Sequence, residues 1–337
     1  MEREVVILDI DYISYEDKPV IRLFSKDGDK NIILIDDSFV PYLYVYSNDP
    51  DNCIEDLDEL LDNVKIEKLT KKDFQIEKTF IKVTFTHPQE LAKHRDEIRD
   101  LDSVLQIREF DIPFYRRYLM DRDVIPMTKV KASGEKLDSF SALDSEKHDV
   151  EIIKLDKPLQ RVDENFNDFR ILSFDLEVRN PHGMPDSQED EIIMIGVASN
   201  FGINQVISTK TNSPERDDFV CQVSSEKEMI QTFADIIKEN NVDIIVGYNS
   251  DNFDFPYLID RAKINEVDLD LGMDGSNIRF IKRGFTNAAS MKGLIHVDLY
   301  LVMRRYMTLD RYTLERVYLE LFGEEKIDVP GDRIWEF

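Results

Sequence analysis

The stretch "ILSFDLEV", residues 171–178, constrains the fold more than any other part of the chain. It is apolar enough for a core strand, yet it carries Asp175 and Glu177 two positions apart. Side chains alternate across a strand, so both carboxylates share one face and Phe174, Leu176 and Val178 share the other. The blander alternative is an acid pair on an exposed sheet face. The surrounding run reads as too apolar for a solvated strand, and two like charges side by side in a core are costly unless a cation neutralises them. The expectation is therefore a buried pair that belongs to a site.

A second stretch supplies a third carboxylate. "YNSDNFDFPYL", residues 248–258, sets Asn249, Asp251, Asn252 and Asp254 along a short turn and then runs into apolar residues. Such clusters cap helices and make turns. Asp254, however, arrives just past the apolar run "VDIIVGYN", and ligand sites in α/β sheets gather at strand ends. Asp175, Glu177 and Asp254 together make an all-oxygen set of the kind that Mg²⁺ or Mn²⁺ prefers. Two such ions can activate a water and stabilise the leaving oxygen of a phosphodiester, with no protein nucleophile.

The chain offers no rival chemistry. It has no G-x-S-x-G elbow, no G-x-x-x-x-G-K-[ST] loop, no G-x-G-x-x-G and no H-E-x-x-H. His87, His94, His148, His182 and His296 show no ligand spacing. His296 and Asp298 in "IHVDLY" read as a strand end and a helix cap. Cys53 and Cys221 are far apart, which speaks against a thiolate zinc site or a disulfide.

The 337 residues suggest two domains. Residues 4–14, 19–24 and 31–46 alternate as strands do, residues 54–63 and 88–100 are helical by spacing, and 79–86 read as a strand. This is a small α+β domain over 1–127. Residues 128–168 are rich in Ser, Lys, Asp and Glu and read as a connector with one strand at 150–154. A second domain spans 169–337, where three successive strands precede strand–helix alternation, as in a mixed α/β sheet flanked by helices. No apolar run approaches the roughly 18–20 residues that span a bilayer, and the acidic "MEREVVILDIDY" reads as a strand rather than a signal peptide. A cytoplasmic protein is expected.

Net charge is −26, which taken alone argues against a nucleic-acid binder. It does not fix the charge of a local groove. The basic pairs Arg116–Arg117, Lys282–Arg283 and Arg304–Arg305 read as solvated pairs.

"FDLE" and "YNSDNFDFPYL" resemble the first two exonuclease motifs of archaeal family B DNA polymerases, D-x-E and N-x(2–3)-[FY]-D, in the right order. "ILDIDYI", "KPVIRLF", "FVPYLYV", "HPQEL", "FDIPFYRRYL", "IHVDLY" and "YTLERVYLELFG" are similar to the same family in order along the chain, and "RNPHGMP" resembles its methanogen branch. The resemblance implies an RNase-H-like (DnaQ-like) 3′–5′ exonuclease domain preceded by a small α+β template-binding domain. It implies a proofreading role in DNA replication and DNA as partner, both as a primer 3′ end and as a single-stranded template. It also implies the remaining polymerase domains as partners, a monomer, and no membrane. The family's third motif, Y-x(3)-D, lies beyond "YTLERVYLELFG", and the chain ends at "GDRIWEF"; an N-terminal fragment with an incomplete two-metal site and little activity of its own is expected. The literal match Tyr306 and Asp310 is misplaced relative to "HVDLY" and "YTLE".

By the same resemblance Asp175 bridges both metals, Glu177 holds the water-activating one, and Asp254 serves the second. Asn249 and Phe253 hold the terminal nucleotide, the ring by stacking on a base. The first domain is similar to a pocket that senses uracil in template DNA, at Tyr12, Pro41, Tyr42, Leu91, Ile112, Phe114 and Arg117. Relatives carry valine at the position of Leu91, so its larger side chain bears on pocket volume. The alternative function is thus a catalytically silent, uracil-sensing module that binds single-stranded DNA; a third, acidic RNase-H-like domain without metal, is the structural reading.

Overall fold

The computed structural model describes residues 1–140, 150–162, 166–180, 183–210, 219–284 and 286–324. The chain divides into two compact units. Met1–Asp27, Ile32–Ala142 and Glu151–Asn165 form one; Gly28–Asn31, Leu143–Val150 and Phe166–Phe337 form the other.

The first unit runs β1 (Glu2–Tyr15), β2 (Lys18–Asp27), β3 (Lys30–Asp36), β4 (Tyr42–Tyr46), α1 (Pro50–Leu60), β5 (Lys65–Asp73) and β6 (Ile76–Thr84). It continues with α2 (Pro88–Arg99), β7 (Gln106–Arg108), α3 (Phe114–Asp121), β8 (Lys129–Leu137), β9 (Val150–Leu155) and β10 (Gln160–Arg161). One sheet has the order β1-β2-β3-β9-β8-β10, and β1 also pairs with β8, so five of its strands close on themselves. Ile7, Leu23, Leu34, Val130 and Ile153 fill the interior against Phe114 and Tyr118 of α3. The other sheet has the order β5-β6-β4-β7. Leu43, Val45, Ile81 and Val83 of its central strands are fully buried together with Cys53 and Leu57 of α1 and Ile98 of α2.

The alternating run at 31–46 is split between the two sheets, with Pro41 in the break. α1 begins before the expected position because Asp49 caps it, accepting from the Asn52 N–H, with Pro50 in the first turn. α2 starts at Pro88 as expected, capped by His87.

The stretch read as a connector is corrected. The strand expected at 150–154 is present as β9, but the described residues also supply β8 and β10, and β8 and β9 belong to the closed ring. The cause is side-chain size. β8 turns Val130, Ala132 and Gly134 inward between Lys131, Ser133 and Glu135, and small inward residues give little apolar signal. Gly134 is required there: a Cβ on it would lie 2.1 Å from the Lys154 carbonyl oxygen.

The second unit runs β11 (Ile171–Val178), β12 (Ile192–Ser199), β13 (Asn204–Ser208), β14 (Val220–Gln222), α4 (Glu226–Glu239) and β15 (Ile244–Gly247). After these come α5 (Asp254–Ile264), β16 (Arg279–Arg283), β17 (Thr286–Ser290), β18 (Ile295–Asp298), α6 (Leu299–Tyr306) and α7 (Leu314–Phe322). The sheet order is β14-β13-β12-β11-β15-β18. β11, β12 and β13 are antiparallel neighbours, while β15 and β18 run parallel to β11. This is the mixed sheet expected. Phe174 of β11 packs 5.2 Å from Phe233 of α4 and 5.0 Å from Phe255 of α5, ring centre to ring centre, so the two helices cover the apolar face of the central strand.

A buried ion pair ties α5 to α4. Arg261 donates to both oxygens of Glu226 at 2.8 and 2.5 Å, and Glu226 also accepts from the Ile192 N–H of β12. Among the described residues no helix is long and apolar enough to cross a membrane.

Candidate functional site

β11 delivers the acid pair. Alternation holds, with Phe174, Leu176 and Val178 buried, but Asp175 is exposed and Glu177 half-buried. The expectation of a buried pair is corrected. α4 and α5 cover only the apolar face, and on the other face Asp175 stands opposite Gly196 of β12, which has no side chain to cover it.

The buried carboxylate is the third one. Asp254 opens α5 and is 3% exposed. Its Oδ1 accepts from the Leu176 N–H at 3.2 Å, which ties α5 to the strand that carries Asp175 and Glu177. Burial, and then the negative charge of Asp175, push the Asp254 carboxyl up to about 7; Asp298 adds to the rise, and the bond from Leu176 opposes it.

The turn before α5 is a structure of its own. Gly247 ends β15 where a Cβ would lie 2.5 Å from the Ser250 side chain. Asn249 follows in the left-handed region (φ 62°), which asparagine tolerates better than most residues. Asp298 holds this turn. Its Oδ1 accepts from the Asn249 N–H at 2.8 Å and the Tyr300 N–H at 2.9 Å, and its Oδ2 accepts from the Asp251 N–H at 3.1 Å. It is therefore the cap of α6, as the sequence suggested, and also the anchor of the turn. Asp251 is buried and accepts from the Ala289 N–H of β17 at 2.7 Å, with His296 Nδ1 3.4 Å away. His296 Nε2 lies 2.9 Å from Ser250 Oγ.

Of the four Asn and Asp residues in "YNSDNFD", then, Asp251 is structural. Asn249 and Asn252 pair with each other, Asn252 Nδ2 donating to Asn249 Oδ1 at 2.9 Å. Phe253 is half-buried beside Tyr257, ring centres 5.5 Å apart. Sequence reasoning passed over Asp298 as a ligand of the turn. The available signal was "HVDLY" itself, an aspartate at the end of the strand next to β15.

Among the described residues no group of three or more His, Cys, Asp or Glu side chains is gathered as a metal site. Of the three expected carboxylates, Asp175 and Asp254 interact directly, and Glu177 stands two residues along β11 on the same face as Asp175. Their chemistry still fits a hard cation: a desolvated carboxylate raised by like charge is the condition that a divalent ion relieves. Tyr306 is 76% exposed, and Asp310 binds Arg316 Nε at 3.2 Å.

In the first unit, a cleft of about 320 Å³ is lined by Tyr12, Pro41, Tyr42, Leu91, Ile112, Phe114 and Arg117, together with Arg95, Glu109 and neighbouring loop residues. Tyr12 and Phe114 meet edge to face at 5.2 Å. Arg117, expected as half of a solvated pair, is 6% exposed, bound to Glu109 at 2.6 Å and stacked 4.8 Å from the Tyr42 ring centre. The acid and the ring compensate the burial that the sequence pattern alone does not foresee. The Tyr42 hydroxyl donates to Asp121 at 2.7 Å, and burial together with that bond pushes its phenol far up.

The profile of DNA polymerase family B, exonuclease domain, matches residues 105–317. A DNA polymerase of Desulfurococcus sp. (strain Tok) is 35% identical over 342 residues, covering 98% of this chain and 39% of that protein. The DNA polymerase of Methanocaldococcus jannaschii is 34% identical, again over 98% of this chain and over 19% of its own length. Among solved structures, the family B DNA polymerase from the hyperthermophilic archaeon Pyrobaculum calidifontis is similar with a TM-score of 0.79 and 26% identity, over 99% of this chain and 42% of that one. The chain thus spans about two-fifths or less of the relatives it matches. The mixed sheet of the second unit agrees with the RNase-H-like exonuclease fold expected from the sequence.

Proposed function

The chain belongs to DNA polymerase family B, and from that premise we propose that its second unit is a 3′–5′ exonuclease module acting on the 3′ end of DNA. The observation that carries the reading is Asp254: a carboxylate 3% exposed, raised to about 7, facing Asp175. Asp254 is the first residue of α5, after Phe253, and an aspartate that served only the helix dipole there could stay exposed. Asp175, Glu177 and Asp254 would hold Mg²⁺ or Mn²⁺. When bound, such ions activate a water and stabilise the leaving oxygen of a phosphodiester.

The chain's own residues do the rest. The Leu176 N–H fixes Asp254 against β11, and Asp298 fixes the turn from which Asn249 and Phe253 reach the last nucleotide. Asp175, on the open side of its strand, is accessible to a DNA end. Mn²⁺ titration calorimetry tests this. Asp175→Ala and Asp254→Asn should each weaken Mn²⁺ binding by about tenfold or more, in keeping with the loss of an oxygen ligand from a hard-cation site. Equal affinity in the parent and both variants would remove the assignment.

A second reading rests on a different observation, the cleft of the first unit. Its seven expected side chains do line one cavity, and 320 Å³ suits a small planar ligand. The reading is recognition of uracil in a single-stranded template, by a pocket that accepts a flipped base. Thymine differs by one methyl group, a difference worth roughly 1–3 kcal/mol in a closed pocket. Anisotropy titrations of uracil and thymine strands at fixed salt decide it; identical affinities would sink it.

A further inference from the structure

The β5-β6-β4-β7 sheet has a second face, opposite α1 and α2. Register places Tyr42, Tyr44 and Tyr46 of β4 beside Thr84, Lys82 and Phe80 of β6, with Lys65, Glu67, Leu69, Lys71 and Asp73 of β5 on one flank and Arg108 of β7 on the other. The rings form one cluster: Tyr42–Tyr44 at 5.4 Å, Tyr44–Phe80 at 6.3 Å and Tyr46–Phe80 at 5.5 Å. Ammonium groups stand over them. Lys71 Nζ is 3.7 Å from the Tyr44 ring centre, Lys82 Nζ 3.9 Å from Tyr42, and Lys78 Nζ 5.1 Å from Tyr46.

The charge balance of this face is opposite to that of the chain. Lys65, Lys71, Lys78, Lys82 and Arg108 meet three carboxylates, Glu67, Asp73 and Glu109, on a protein whose net charge is −26. Aromatic rings on the two central strands of a four-stranded antiparallel sheet, with two helices behind, are the arrangement by which such sheets stack unpaired bases. Cations interleaved with rings track a phosphate backbone while the rings accept bases regardless of sequence.

We propose that this face binds single-stranded DNA, with phosphates on Lys71, Lys78 and Lys82 and bases on the ring of Tyr46, which is half-buried where Tyr42 and Tyr44 are covered. Tyr42 lines the cleft as well as this face, so the strand held here continues a path past the cleft. The charge and the rings carry this proposal, and it stands whether or not the cleft discriminates uracil or the second unit hydrolyses DNA.

The test uses the whole chain and a uracil-free oligodeoxyadenylate, with anisotropy read across a salt series. Lys71→Gln and Lys82→Gln should each weaken binding about tenfold at low salt and lower the slope of log affinity against log salt by about 0.7. Lys93→Gln on α2 removes the same charge from the other layer and should change neither. Tyr46→Leu should weaken binding about fivefold with the salt slope kept, since a stacking surface is lost and no charge. Thermal unfolding of each variant checks that the fold is intact. No binding by the parent, or the same loss in all three lysine variants, would overturn the proposal. A duplex or an RNA strand bound more tightly than the single-stranded DNA would overturn the assigned partner.

Discussion

Strands β11 and β4 follow the same rule and end in opposite chemistry. Each buries alternate apolar side chains against helices: Phe174, Leu176 and Val178 in the first, Leu43 and Val45 in the second. Each turns its remaining residues the other way, and those differ. β11 presents Asp175 and Glu177, which hydrate well and need no cover. β4 presents Tyr42, Tyr44 and Tyr46, which do, and lysine stems and ammonium groups cover two of them to 8% exposure. The covered face fixes the fold and the other face fixes the ligand. In the acidic case burial of Asp254, and then the charge of Asp175, push one carboxylate up to about 7; in the basic case each tyrosine ring holds a cation in place.

The largest effect should come from breaking the anchor on the acidic side. Asp298→Ala leaves three backbone N–H groups without their acceptor, that of Asp251 buried and those of Asn249 and Tyr300 partly so. At about 1–3 kcal/mol for each unsatisfied donor, urea unfolding should report a loss of about 4 kcal/mol. Asp298→Asn should cost less, because Oδ1 still accepts from Asn249 and Tyr300 while Nδ2 opposes the Asp251 N–H. A loss under about 1 kcal/mol for the alanine variant would mean that the turn holds itself.

Next comes the raised carboxyl. Asp254 binds its proton more tightly folded, at about 7, than unfolded, near 3.9. The folded state therefore carries more protons between those values, and stability falls as pH rises through that window. The penalty is absent below about pH 4 and complete above about pH 7. Asp254→Asn keeps an acceptor for the Leu176 N–H and should stabilise the fold at pH 8 by about 2–4 kcal/mol, the gain shrinking to nothing near pH 4. Saturating Mn²⁺ should narrow the gap at pH 8 by stabilising the parent more than the variant. A pH-independent gain would assign the effect to packing instead of charge.

The alternation of β11 was legible in the sequence, and so were the mixed sheet, the start of α2 at Pro88 and the cap role of Asp298. Each rests on a local signal: a period of two, a proline in a first turn, an aspartate before a helix. Exposure was not legible. Whether Asp175 is covered depends on Gly196, a neighbour across the sheet, and on which face α4 and α5 choose. β8 hid behind small inward residues, and β5 behind its four lysines, since a strand with one open face need not look apolar. Arg117 was misread as solvated because its partners, Glu109 and Tyr42, come from other elements.

The cleft in the first unit is governed by volume where the acidic site is governed by charge. Leu91 lines it and is half-buried. Leu91→Val removes one methylene, and a pocket too small for its ligand should gain about 1 kcal/mol, roughly fivefold in affinity for a uracil strand. Titration of the parent and the variant with the same strand measures it. An unchanged affinity would place Leu91 in the wall without contact to the base.

The smallest effect separates structure from binding on the basic face. Lys71 is ion-paired with Glu109 at 3.4 Å and stacked on Tyr44, and its side chain is 36% exposed. An exposed ion pair contributes little, and a cation over a ring at such a site contributes about 0.5–1 kcal/mol. Lys71→Met keeps most of the stem over the ring and removes only the ammonium, so unfolding should report a loss of no more than about 1 kcal/mol. If the ammonium serves a phosphate, the same substitution should weaken single-stranded DNA far more than it weakens the fold. A stability loss of about 2 kcal/mol or more with DNA affinity unchanged would show that the lysines of β5 and β6 exist to cover the rings. The basic face would then be a core finished with lysine, and the parallel with β11 would end at the covered side.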